Sequence, residues 1–209
     1  MEKRPEHRAE ALPMFVLAEG EPDEVPPARA PWLVRLSAGV ARVEAWAAGL
    51  AVLGIFVLLL VNVASRTLGR PLIWTDELAV NLMAWAAFIG ASLGLAHHQH
   101  IAVTLVPDML PARARRLVAL VVDGVLMAFL VVLAVLLWRW LDPVGLLMAG
   151  SADAFSATTF NFVYQEPTVT LGVRKIWFWL ILPVFCVTGA VHVAAAAAGR
   201  LATLKEDRP

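Results

Sequence analysis

The stretch Leu117–Leu137, LVALVVDGVLMAFLVVLAVLL, decides the fold. It holds a single ionisable side chain, Asp123, in an otherwise apolar run. At about 1.5 Å of rise per residue, a helix of this length crosses a hydrocarbon core of about 30 Å. Three more runs of similar character flank it, at Ala45–Ala64, Leu78–Ala96 and Ile176–Ala198. Lipid supplies no water to stray backbone groups, so each run must close its hydrogen bonds as a helix. The expectation is an all-α integral membrane protein with four transmembrane helices.

Bulk composition agrees. The chain has 209 residues, of which 60% are hydrophobic, and a formal charge of +0. Its mean hydropathy is +0.73. Net charge points to no nucleic-acid partner, and membrane lipid is the expected surroundings. The lone cysteine, Cys186, lies within the fourth run and cannot build a disulfide framework or a cysteine metal site. Residues 1–36 read as a flexible cytoplasmic tail rich in proline, 37–200 as the four-helix domain, and 201–209 as a short cytoplasmic tail.

Orientation follows from the basic residues at the helix ends. Arg29, Arg35, Arg42, Arg113, Arg115, Arg116, Arg200, Lys205 and Arg208 fall on one side. Arg66, Arg70, Arg139, Arg174 and Lys175 fall on the other. The bias places both termini inside. Trp74, Trp138, Trp140, Trp177 and Trp179 all map to the opposite, outer interface, where amphipathic rings settle among headgroups.

Helix boundaries are marked locally. Gly69 and Pro71 stop the first helix, and Thr75 is the expected N-cap of the second, with Asp76 and Glu77 in its first turn. This reading of Trp74-Thr75-Asp76-Glu77 stands beside a second one, in which the acids meet a partner. Ile101–Leu110 is too short to span and is expected along the inner surface. Pro143 is expected to close the third helix, and Pro183 to kink the fourth. Asp142–Lys175 forms one long outer loop with Phe155, Phe160, Phe162 and Tyr164, either packed on the surface or used for contact.

Few residues can carry chemistry. Ala86, Gly90 and Gly94 form a small-residue stripe suited to close helix packing, within the chain or at a subunit interface. Asn62, Asn81 and Asp123 are polar groups at membrane depth. Asp123 is a candidate coupling-ion or proton ligand, with pairing to His97, His98 or Arg42 as the favoured role. His97, His98, His100 and His192 share one side, so a haem-bearing redox anchor is the rival reading. A self-sufficient small transporter or channel is a third, against which stands the lack of broken helices or paired repeats. No nucleophile–base set, phosphate loop or metal-ligand spacing appears, so no enzyme is expected.

The order of residues adds a resemblance. Asn62-Val63, Arg66, Gly69-Arg70-Pro71-Leu72 and Trp74-Thr75-Asp76-Glu77-Leu78 resemble the first-loop signature of the small membrane subunit of tripartite ATP-independent periplasmic (TRAP) transporters, the DctQ-like family. Phe88-Ile89-Gly90-Ala91-Ser92-Leu93, His100-Ile101, Leu110-Pro111 and Arg113 continue it. Thr67 departs from the aromatic common after the arginine, and Arg174-Lys175 from the proline common before the fourth helix. The resemblance implies a scaffold subunit in the bacterial inner membrane, in a sodium-driven importer of C4-dicarboxylates, sialic acid or similar carboxylates. Its implied partners are a large DctM-like membrane subunit and a periplasmic substrate-binding protein. Sodium and substrate sites are implied in the large subunit, with no cofactor in this chain. Asn62, Arg66, Arg70, Trp74, Asp76, Glu77, Gly90, Gly94 and His100 are the implied motif or interface positions.

Overall fold

A computed structural model describes residues 32–97 and 111–206. The tail before residue 32, the Ile101–Leu110 segment and the side chains of His98, His100, Arg113 and Arg116 lie outside the described residues. Four long helices dominate: α1 Trp32–Thr67, α2 Trp74–Ala96, α3 Ala112–Leu141 and α7 Ile181–Glu206. Short helices α4 Pro143–Ala149, α5 Ala152–Thr159 and α6 Ile176–Trp179 fill the connection between α3 and α7. Among the described residues the only strand-like pairing is one antiparallel bridge, Pro167 to Arg174. Four segments are long and apolar enough to cross a membrane, the third running from α3 on through α4 and the last formed by α6 and α7 together.

Two domain limits shift. Helix α1 begins at Trp32, so residues 32–36 belong to it rather than to a tail. Helix α7 runs to Glu206, through most of the expected C-terminal tail. Alanine-rich, breaker-free sequence on either side of Gly199 lets the helix continue past the apolar run.

Helix α7 is the hub. It packs against α1, α2 and α3, while α1 and α2 form a tight antiparallel pair and α3 is held chiefly through α7. The core lies where α2, α3 and α7 meet, around Leu95, Leu130, Phe185 and Val193. Phe88 tilts onto Phe185 at a ring separation of 5.5 Å. Close approach depends on Gly189, where an added Cβ would stand 3.1 Å from Leu95 Cδ1 and 3.3 Å from Leu130 Cδ2. Ser92 and Thr188 hydroxyls, 2.9 Å apart, tie α2 to α7 beside it. Membrane helices lack a hydrophobic drive to associate, so small residues and short polar ties of this kind replace it.

Prolines act by position. Pro183 has no N–H to give the carbonyl of Trp179, and α6 ends at that residue. The expected kink is thus a short break at Leu180, with Pro183 in the first turn of α7, where no donor is required. Helix α3 ends just before Pro143, as expected, and the residue that turns the chain is Asp142, which the following proline biases away from helical geometry. The Asp142 backbone takes a left-handed φ of 39° and its N–H returns to Trp138 O. The Asp142 carboxylate then caps α4 by accepting from Gly145 N at 3.0 Å, and Pro143 serves as the first residue of that helix.

Candidate functional site

The α1–α2 corner gathers most of the motif residues. Gly69, with a φ of 70°, turns the chain after α1. Ser65 holds the turn from inside: its hydroxyl donates to Asn62 O at 2.8 Å and accepts from Leu72 N at 3.2 Å. Above it, Arg66 Nη2 pairs with Asp76 Oδ2 at 2.8 Å and Arg66 Nε donates to Asn62 Oδ1 at 2.6 Å. Asn62 Nδ2 donates to the other Asp76 oxygen, which closes the ring of three. Asn62 is buried, so its amide uses both functions where water is scarce. Asp76 therefore binds α2 to α1.

Thr75 is not the N-cap. Helix α2 starts at Trp74, with Ile73 in the cap position making no side-chain cap bond. Thr75 lies one residue inside, almost fully buried, and its hydroxyl donates back to Leu72 O at 2.6 Å. Trp74 is partly exposed. The Arg70 side chain is exposed and makes no hydrogen bond or ion pair among the described residues.

Glu77 reaches a different target from its neighbour. Its Oε1 accepts from Val169 N at 2.7 Å. Its Oε2 accepts from Thr170 N at 2.6 Å, Thr170 Oγ1 at 2.7 Å and Leu171 N at 3.2 Å. Three successive amides form a small anion-binding nest, and Glu77 fills it. The nest is the tip of a narrow strap. Thr168 N donates to Val173 O at 2.8 Å, Lys175 N to Glu166 O at 2.9 Å, and Lys175 Nζ pairs with Glu166 Oε1 at 2.6 Å. The long loop is thus packed: Phe155 is buried, Tyr164 Oη donates to Leu141 O at 2.6 Å, and Asn161 Nδ2 donates to Trp140 O at 2.7 Å. Burial, and then the Asp142 charge, push the Tyr164 phenol above its ordinary pKa, which keeps it a donor. Trp140 and Trp179 meet in a tilted contact, with ring centroids 5.0 Å apart, so the end of α3 and α6 lie together.

Polar groups deeper in the bundle pair differently from expectation. Among the described residues Asp123 joins Arg200 of α7 rather than His97 or Arg42; His98 lies outside the described residues. The reason is packing: α3 lies against α7, so the basic group within reach comes from that helix. Arg200 also donates to Ala119 O at 3.3 Å. Asn81 turns inward on its own helix, donating to Glu77 O at 2.9 Å. Gly90 is exposed, and among the described residues no other side chain lies near the place of a Cβ at Gly90 or Gly94.

Two ties carried no sequence signal of pairing. Trp85 Nε1 donates to Phe178 O at 2.9 Å, joining α2 to α6. His192, fully buried, lies 2.9 Å from Glu44 Oε2 through Nε2 and 2.7 Å from Ser37 Oγ through Nδ1. Which ring nitrogen donates and which accepts depends on the imidazole tautomer. Both ring nitrogens of His192 thus have partners.

Residues 55–203 match the family of the DctQ component of tripartite ATP-independent periplasmic transporters. The chain belongs to that family. It is 36% identical over 83 residues to the C4-dicarboxylate TRAP transporter small permease protein DctQ of Vibrio cholerae, covering 39% of this chain and 36% of that protein. It is 22% identical over 147 residues to the sialic acid TRAP transporter permease protein SiaT of Haemophilus influenzae, covering 70% of this chain and 21% of that one. The matches thus span about a third and about a fifth of these relatives' lengths. With its four membrane-crossing segments, this member of the family is a multi-pass protein of the bacterial inner membrane, in a transporter family rather than an enzyme one. The family match holds the whole Asn62–Arg66–Asp76 ring, Glu77 and the strap, and the Asp123–Arg200 pair; Ser37 and Glu44 precede it.

Proposed function

We propose that this chain is the non-catalytic scaffold subunit of a sodium-driven TRAP importer of carboxylates, bound to a large membrane subunit and served by a periplasmic binding protein. One observation carries the reading. The buried ionisable side chains of the helices are committed to ties between helices, Glu44 to His192 and Asp123 to Arg200, and the more exposed Asp76 is tied to Arg66. Among the described residues no buried side-chain nitrogen or oxygen lacks a hydrogen-bond partner. A substrate or ion pathway needs polar groups that can exchange partners at membrane depth. This bundle keeps its polar groups in place, which supports the reading of a scaffold whose partner carries the transport chemistry.

The substrate class rests on the relatives, whose names specify a C4-dicarboxylate and sialic acid. The termini are assigned to the cytoplasm from the excess of arginine and lysine at their end, and the strap to the periplasmic side. Arg66, Arg70, Trp74, Asp76 and Glu77 then shape the periplasmic corner, and the open Gly90/Gly94 stripe is a surface for the large subunit. The haem-anchor reading is weaker because His192 already holds Ser37 and Glu44.

Co-expression of the tagged chain with the large membrane subunit encoded beside it tests the proposal. The expected result is a one-to-one complex that survives mild detergent, and no carboxylate flux from the small chain reconstituted alone. Purification of the chain without a partner, or flux from it alone, overturns the reading.

A further inference from the structure

A crevice of about 770 Å³ opens at the tryptophan-rich end, between α4, the start of α5 and the strap leading into α6. The size falls within the roughly 300–1,000 Å³ typical of small-molecule sites. Its walls are mainly apolar, with Leu147, Ile176, Trp177 and Leu180 among them. Leu147 and the neighbouring Met148 are 80% and 84% exposed, too apolar a surface to face water without cause. Trp138 and Trp177, both well exposed, place this end at the headgroup level of the membrane.

The polar lining is sparse and mostly engaged. Ser151 accepts from Ala154 N at 3.1 Å, and Tyr164 is held by Leu141. Arg174 is the exception. It lines the crevice, is exposed, and its guanidinium has no hydrogen bond or ion pair among the described residues. Its backbone is fixed by the bridge to Pro167, and the adjacent Lys175 is occupied by Glu166. A guanidinium without a partner, held over an apolar slot at headgroup depth, matches an amphiphile with a phosphate at one end.

We infer that this crevice binds one anionic phospholipid from the adjoining leaflet, an acyl chain along Leu147, Trp177 and Leu180 and its phosphate on Arg174. The lipid fixes α4 against α6 and cements the loop cap onto the bundle. The site does not depend on which substrate system the chain serves.

Native mass spectrometry of the delipidated full-length chain, titrated with phosphatidylglycerol or phosphatidylcholine, tests the inference. The expected result is one tightly bound phosphatidylglycerol, favoured over phosphatidylcholine by about fivefold for a single basic contact. Arg174→Gln abolishes that preference, and Arg174→Lys retains most of it. Arg139→Gln, a charge at the same end outside the crevice, leaves it unchanged. Leu147→Ser weakens both lipids alike, and thermal melting of each variant verifies the fold. Equal binding of the two lipids by the natural chain overturns the inference, as does a preference that survives Arg174→Gln or is lost equally in Arg139→Gln. A photo-crosslinker at position 147 that labels protein rather than lipid in native membranes also overturns it.

Discussion

Adjacent acids at the α1–α2 corner have separate tasks. The Asp76 carboxylate faces Asn62 and Arg66, within the helical pair. Glu77, one residue on and rotated by about 100° on the helix, faces the strap and takes four donors from it. An amide at position 77 keeps one oxygen acceptor and turns a donor toward the strap amides. Glu77→Gln is therefore expected to speed amide exchange at Val169, Thr170 and Leu171 by at least tenfold, while amides of α1 stay protected. Hydrogen–deuterium exchange read by mass spectrometry checks this, and unchanged protection at those three amides contradicts it. Asp76→Asn is expected to leave the strap protected. Sequence alone shows two acids in a first turn, which suits a helix dipole; what it cannot show is that residues 169–171 arrive beside one of them.

Among the elements, α7 depends most on small residues. Gly189 lets Leu95 and Leu130 approach the helix axis, whereas Gly90 and Gly94 have open space around them. Gly189→Leu must displace two core leucines, and overpacking of this kind typically costs about 1–3 kcal/mol. A lower melting temperature of the isolated chain in detergent is the expected readout. Gly90→Leu is expected to leave that melting temperature within error and to lower recovery of the complex with the large subunit. Both glycines look alike in sequence, being small residues in apolar helices. Only the packing partner separates them, and it lies about 60–95 residues away in the chain for Gly189. The α6–α7 break shows the opposite case, since Pro183 disrupts its own preceding turn wherever the helix is placed.

The whole molecule is an α1–α2 pair and a single α3, joined through α7. Two buried polar ties secure α7 to the outlying helices, Glu44–His192 to α1 and Asp123–Arg200 to α3. The second tie is asymmetric. The Asp123 side chain is 7% exposed, and that of Arg200 is 27% exposed. If Asp123 becomes Asn, the long Arg200 side chain can extend toward headgroup water. If Arg200 becomes Ala, Asp123 is left as a buried carboxylate without its arginine, the costlier outcome. Arg200→Ala is expected to destabilise the chain by about 3 kcal/mol and Asp123→Asn by clearly less. Chemical denaturation in a fixed detergent ranks them, and the reverse order would contradict the pairing.

The four membrane segments, the apolar exterior and the belt of tryptophans were determined by the sequence by itself. Length, hydropathy and aromatic placement are local quantities, and the lipid solvent converts them directly into spans. The corner motif was legible for a related reason, as Asn62, Arg66 and Asp76 lie close along the chain around a Gly69 turn. The tertiary structure alone decided the partners of Asp123, Glu77, Trp85 and His192. Each of those contacts joins residues roughly 80 to 150 apart, so it depends on which helix lies beside which. That arrangement follows from side-chain packing around Gly189 and Leu130 rather than from any periodicity in a single helix.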